Sequence, residues 1–259
     1  MTQIKELSDF IQISKNTVFF GGAGVSTDSG IPDFRSASGL YSTQLTYGYH
    51  PEELLSHSFF RHRPGLFFRY YRENLIARQA MPNAAHISLA RLEEKGLLKA
   101  IITQNIDGLH QAAGSKNVLE LHGSNWRQHC NQCKAKYVLE YVLAPKNIRN
   151  DIPICQHCGG IVRPDVVLYE EPLDDTIMQT AIQAISLASL LIVGGTSLAV
   201  YPAAGLLRYF GGQHLVLINK SQTPYDNQAE VVIHDAIGEV LHAVWVILSN
   251  ERQGVANSR

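Results

Sequence analysis

The chain has 259 residues, 45% of them hydrophobic, enough to bury a core in one large domain or in a large and a small one. Its 22 Lys and Arg nearly balance 23 Asp and Glu, so no net field draws it to nucleic acid or to an anionic membrane surface. The polar start Met1-Thr2-Gln3-Ile4-Lys5 and the lack of any apolar run near the ~20 residues of a membrane span predict a soluble, cytoplasmic protein.

In chain order, short β-branched runs alternate with helical patterns. The expected strands are Thr17–Phe20, Ala100–Thr103, Val118–Leu121, Leu190–Val193, Leu215–Ile218 and Val231–Ile233. Most lack polar alternation, which suits strands covered on both faces of a parallel sheet. Asn83 and Gly96 bracket an expected helix over 84–95, and further helices are expected over 174–187 and 202–209. The pattern predicts an α/β, doubly wound fold. Two segments interrupt it: residues 37–80, rich in aromatics, and residues 125–162, which hold all four cysteines. The stretch from Gln253 reads as a polar tail.

The first strand ends in Gly21-Gly22-Ala23-Gly24 and runs on through Ser26 and Thr27 to Gly30-Ile31-Pro32-Asp33-Phe34-Arg35-Ser36. Small residues let a backbone approach pyrophosphate, and a helix starting there would aim N–H groups at phosphate. Thr27 stands where the dinucleotide fingerprint has its third Gly or Ala, so a nucleotide held in an unusual pose is expected. Three more strand ends carry amides, small residues or a histidine: Gln104-Asn105-Ile106-Asp107, Leu121-His122-Gly123 and Gly195-Thr196-Ser197. Ile218-Asn219 is a fourth. Ligands of open α/β sheets bind at strand carboxyl ends, and together these ends line an expected nucleotide groove. A lone histidine is more often structural than catalytic, yet His122 sits at such an end, and the unperturbed pKa of an imidazole suits general base work.

Cys130-x-x-Cys133 and Cys155-x-x-Cys158, 21 residues apart, match four-thiolate zinc spacing. Disulfides or redox pairs are the alternatives, and a cytosolic setting disfavours stable disulfides. Four thiolates close the coordination sphere, which makes such a zinc structural.

With these motifs in order from Asp9 to Leu241, the chain resembles the sirtuins, the NAD-dependent protein deacylases, of bacterial type. The resemblance implies a Rossmann-like NAD-binding domain (1–36, 81–124 and 163–252). It also implies a smaller domain made of a helical insertion (37–80) and a zinc-ribbon module (125–162), with 253–259 as tail. It implies that the acyl-lysine oxygen attacks the nicotinamide ribose, giving an alkylimidate and then free lysine, nicotinamide and O-acyl-ADP-ribose. Asn105, Asp107 and His122 would be catalytic, with His122 the general base. Gly22, Ala23, Gly24, Ser26, Thr27, Phe34, Arg35, Gln104, Ile106, Gly195, Thr196, Ser197, Asn219, Ala236 and Ile237 would complete the NAD site. Acyl-lysine peptide would add as a strand beside Val167, Tyr169 and Val200. A mono-ADP-ribosyltransferase using the same pocket is the alternative; a zinc-bearing nucleic-acid module is disfavoured by the near-neutral charge.

Two departures from the family pattern stand out. Tyr169-Glu170-Glu171 replaces the common Phe-Gly-Glu, which is expected to remove access to positive φ and to add a carboxylate near the peptide. Phe68 and Tyr71 are expected where succinyl-specific members carry Tyr-x-x-Arg, leaving no cation for an acidic acyl chain.

Overall fold

A computed structural model describes residues 2–32 and 44–256. Its strands are β1 Thr17–Gly21, β2 Ala100–Thr103, β3 Val118–Glu120, β4 Gly123–Cys130, β5 Lys136–Val138, β6 Ile148–Arg149 and β7 Ile152–Pro153, followed by β8 Val162–Val166, β9 Leu190–Gly194, β10 His214–Ile218 and β11 Val231–Ile233. Six of these, in the order β11-β10-β9-β1-β2-β3, form one sheet, parallel throughout. Every residue of β1, β2 and β9 is buried, as unbroken apolar runs require.

Side chains leave the sheet alternately to two cores. Phe19, Ile101, Leu190 and Ile192 pack against the helices Thr2–Ile13, Ala84–Glu94 and Ile237–Ala256. Val18, Phe20, Ile102, Leu191 and Val193 face the helix Asp175–Ser186 and the 3₁₀ segment Ala203–Tyr209. This is the doubly wound α/β arrangement expected, with three corrections. Residues 203–209 form 3₁₀ rather than α-helix. The first and last helices, 2–13 and 237–256, were not among the expected elements, and the last one carries Gln253–Ala256 into the stretch read as tail. Both are held by packing on the sheet, which local pattern does not report.

Among the described residues, the aromatic insertion includes the short helices Pro51–Leu54, His57–His62 and Pro64–Tyr70, followed by a π-turn over Tyr71–Leu75. Ser56 Oγ caps the second by accepting from the Phe59 N–H at 3.1 Å, and Pro64 starts the third. Their core is a stack of edge-on rings, with Phe60–Phe67 at 5.1 Å and Phe67–Phe68 at 5.2 Å, closed by Leu168. Beside it lies an antiparallel sheet in the order β5-β4-β8, and β4 leads directly from His122 to Cys130.

Candidate active site

The strand order places the switch point between β1 and β9: the chain builds outward through β2 and β3 on one side and through β10 and β11 on the other. Ligands of such sheets bind where the two loops diverge. The loop after β1 and the loop after β9 meet there. The Gly24 N–H donates to the Gly195 carbonyl at 2.8 Å. A Cβ on Gly24 would lie 2.8 Å from Gly195 Cα, and one on Gly195, whose φ is +61°, would lie 2.5 Å from the Val25 nitrogen. These glycines permit the two loops to touch, a role beyond the phosphate approach expected of them. The loop continues as two 3₁₀ turns, Ala23–Val25 and Thr27–Ser29.

A cavity of about 340 Å³ opens at this point. Gly22, Ala23 and Gly24 line it from one side, Gly195, Thr196 and Ser197 from another, and Gln104, Asn105, Ile106 and His122 form its polar floor. Val167, Tyr169 and Val200 stand at its other end, with Leu55 and Leu75 from the helical insertion. Ser26 and Asp107 lie behind the floor. Thr27 bonds back to the Gly24 carbonyl, while Asn219, Ala236 and Ile237 sit at the ends of β10 and β11 outside the lining. Ile237 is a core residue. Phe34 and Arg35 lie outside the described residues.

The floor is fixed by hydrogen bonds. His122 Nδ1 lies 2.9 Å from the Gln104 carbonyl, an acceptor only, so Nδ1 carries the proton and the basic lone pair is on Nε2. Gln104 Nε2 donates to Thr196 Oγ1 at 3.1 Å, tying β2 to the β9 loop. Asn105 Nδ2 donates to the Gly22 carbonyl and to Ser26 Oγ at 3.1 and 3.0 Å. Ser26 donates to Asp107 Oδ2 at 2.7 Å, and Asp107 Oδ1 accepts from the Leu109 N–H at 2.9 Å. Exposed Trp126 completes the bracing by donating its indole N–H to the Asp107 carbonyl at 2.7 Å.

Sequence reasoning missed His86, the third residue of its helix, whose Nδ1 accepts from the Asn83 N–H at 3.3 Å. Its Nε2 faces Ser26 Oγ at 3.4 Å, so His86, Ser26 and Asp107 form one oriented chain. Burial holds the His86 pKa down to about 4, despite the Asp107 carboxylate nearby. Against it, with ring centroids 4.8 Å apart, lies His110, pushed down to about 3 by burial and then by His86. The capping box formed by Asn83 and His86 was the one sequence signal that pointed to this side chain.

Two expectations about the substrate end are corrected. Glu170 does adopt a positive φ, 74°, although it replaces a glycine. Its carboxylate accepts the Ser58 N–H at 2.8 Å, a bond that offsets the cost of that backbone and lowers its pKa. Phe68 and Tyr71 are core residues and do not line the cavity. The apolar wall is Leu55 and Leu75 instead, and Arg69 and Arg72 are paired with Asp151. Among the described residues no lysine or arginine lines the cavity.

At the far end of β4 the four cysteine sulfurs lie within 4.8 Å of one another, with Cys130–Cys158 at 3.5 Å and Cys133–Cys155 at 3.6 Å. These separations exclude disulfides and are close to the roughly 3.8 Å between thiolates on a tetrahedral zinc with ~2.3 Å bonds. The donor set fits a closed zinc site.

A family model described as Sir2 family matches residues 22–202, spanning both glycine loops, the polar floor and the cysteines. The chain belongs to the Sir2 family. It is 59% identical over 244 residues to an NAD-dependent protein deacetylase of Clostridium acetobutylicum, covering 94% of this chain and 98% of the relative. It is 58% identical to one of Clostridium perfringens, covering 93% and 98%. Among solved structures, Sir2 bound to a p53 peptide and NAD+ superposes with a TM-score of 0.84 at 40% identity, covering 97% of this chain and 99% of that one. Sir2 bound to an acetylated peptide superposes at 0.82 and 40%, covering 93% and 96%. This Sir2-family chain therefore has bacterial relatives, a Rossmann-like sheet and a zinc-type cysteine cluster in one body.

Proposed function

We propose that this chain is an NAD-dependent protein-lysine deacylase, most simply a deacetylase, converting acyl-lysine, NAD and water to lysine, nicotinamide and O-acyl-ADP-ribose. The observation that carries the reading is His122, held with Nε2 as its basic nitrogen in the cavity where the glycine loops and the Val167–Tyr169 segment after β8 meet. When bound, NAD supplies an electrophilic ribose carbon and nicotinamide as leaving group. Asp107 and the Ile106 backbone would hold its carboxamide, and Asn105 and Gln104 would orient its ribose and a water. His122 would serve as general base, accepting a proton at Nε2 from a ribose hydroxyl. Placement of this kind supplies ~7–11 kcal/mol of such a barrier. A ribosyltransferase needs no base at that late step, so the His122 geometry favours deacylation over the alternative.

The acylated peptide adds by strand pairing between Val167–Tyr169 and the segment ending at Val200. The zinc site stands roughly 20 Å along β4 from His122, so it shapes the small domain and takes no part in the reaction. The division of the chain is that given above: an NAD domain of three segments, a helical insertion over 37–80 and a zinc module over 125–162. We place the protein in the cytoplasm on the strength of its bacterial relatives and because no helix among the described residues is long and apolar enough to cross a membrane.

The test is mass spectrometry of acetyl-lysine and succinyl-lysine peptides incubated with and without NAD. Nicotinamide and O-acetyl-ADP-ribose should form together only with NAD and acetyl peptide, and His122→Ala should stop O-acetyl-ADP-ribose and free-lysine formation while binding NAD within a few-fold. Succinyl turnover matching acetyl would refute the cation-free pocket, because an unpaired buried carboxylate costs several kcal/mol. Near-normal turnover by His122→Ala would refute its role as base.

A further inference from the structure

The mouth of the cavity carries carboxylates that the reaction does not use. Glu171 is neutralised: Arg163 grips it with two bonds of 2.6 and 2.9 Å, and the Leu168 N–H adds a third at 2.9 Å. Glu52 and Glu170 also line the cavity and form no ion pair among the described residues. Glu170 differs from Glu52 in being held in place. Its neighbour Tyr169 is pinned by the Leu55 carbonyl and the His57 N–H at 3.1 and 2.9 Å. The Glu170 side chain is itself anchored through one oxygen to the Ser58 N–H at 2.8 Å. The Ser58 side chain and the nearby His57 add to this hold on the carboxylate, which stays exposed at the surface.

Resting on the deacylase reading, we propose that Glu170 is a specificity-determining residue that selects acyl-lysine peptides carrying arginine or lysine beside the acylated position. The residue immediately follows the Val167–Tyr169 segment beside which, on that reading, the peptide lies, which puts its charge alongside side chains flanking the acyl-lysine. Much of the rotamer freedom an ion pair ordinarily costs is already surrendered to Ser58. Among the described residues no lysine or arginine lines the cavity to compete for this carboxylate. An exposed pair of this kind is worth a preference of about two- to five-fold, and salt weakens it.

The experiment measures kcat/KM at saturating NAD for two acetyl-lysine peptides, identical except for arginines or glutamates on both sides of the acetyl-lysine. Wild type should favour the arginine peptide by at least about two- to five-fold, mainly through KM, and the preference should shrink in 0.5 M NaCl as charges screen. Glu170→Gln keeps an acceptor for Ser58 but loses the charge, so the ratio should fall toward one. A ratio near one in wild type, or an unchanged ratio in Glu170→Gln, would overturn the proposal. A ratio abolished only by Glu52→Gln would move the role to Glu52 and likewise overturn it. Turnover of neither peptide would overturn the deacylase reading itself, an outcome distinct from equal turnover of both.

Discussion

Gly24→Ala isolates the contact on which the cavity depends. The new Cβ would sit 2.8 Å from Gly195 Cα, 2.9 Å from its oxygen and 3.0 Å from its carbonyl carbon, all backbone atoms with no flexible end to yield. The loops must separate, which costs about 1–3 kcal/mol of overpacking. Separation also weakens the 2.8 Å bond from the Gly24 N–H to the Gly195 carbonyl, worth about 1 kcal/mol more. The sum, about 2–4 kcal/mol, corresponds to a fall in Tm of about 4–16 °C for a chain of this size. Gly96→Ala is the control: its φ is +72°, yet nothing lies within 4 Å, so it pays backbone strain alone, about 1 kcal/mol and about 2–4 °C. The two differ in function as well, because both separated loops line the cavity and Gly96 does not. Differential scanning fluorimetry and NAD titration should give a larger loss of Tm for Gly24→Ala and at least a tenfold loss of NAD affinity, about 1.4 kcal/mol, seen only there. Equal losses for the two variants, or NAD binding by Gly24→Ala within a factor of two, would refute the claim that loop contact builds the site.

Further outcomes concern the metal and the buried histidines. Purified protein should contain about one zinc per chain, and Cys155→Ser should lose it together with cooperative unfolding of the small domain, read by elemental analysis and near-ultraviolet circular dichroism. Native protein free of zinc would refute the thiolate site. His86 and His110 have folded pKa values of about 4 and about 3, below the ordinary 6.5. The unfolded chain therefore binds more protons between those limits: their stability is full above pH 6.5 and is lost as pH falls toward 4 and then 3. Urea unfolding of wild type and His110→Phe over pH 4.5–7 should show the variant losing up to about 1.4 kcal/mol less per pH unit, the weight of one proton. Identical slopes would mean that His110 titrates normally.

Much of this protein is legible along the chain because its chemistry lies in short contiguous motifs. The buried strands are apolar runs, the zinc ligands are two close pairs, and the polar floor is mostly the consecutive run from Gln104 to Ile106 with His122 at the next strand end. Family resemblance ordered these motifs into an activity. Tertiary structure decided what depends on distant residues meeting. Gly24 and Gly195 are legible as glycines but not as partners, because their contact arises only when β1 and β9 become neighbours at the switch point. His86 joins Ser26 and Asp107 across separations of 60 and 81 residues that no periodicity records. Leu55 and Leu75, rather than Phe68 and Tyr71, line the cavity because short helices and a π-turn rotate the faces of the insertion away from a regular 3.6-residue repeat. Glu170 holds a backbone conformation that its residue type disfavours because Ser58, more than a hundred positions away in sequence, supplies the compensating hydrogen bond.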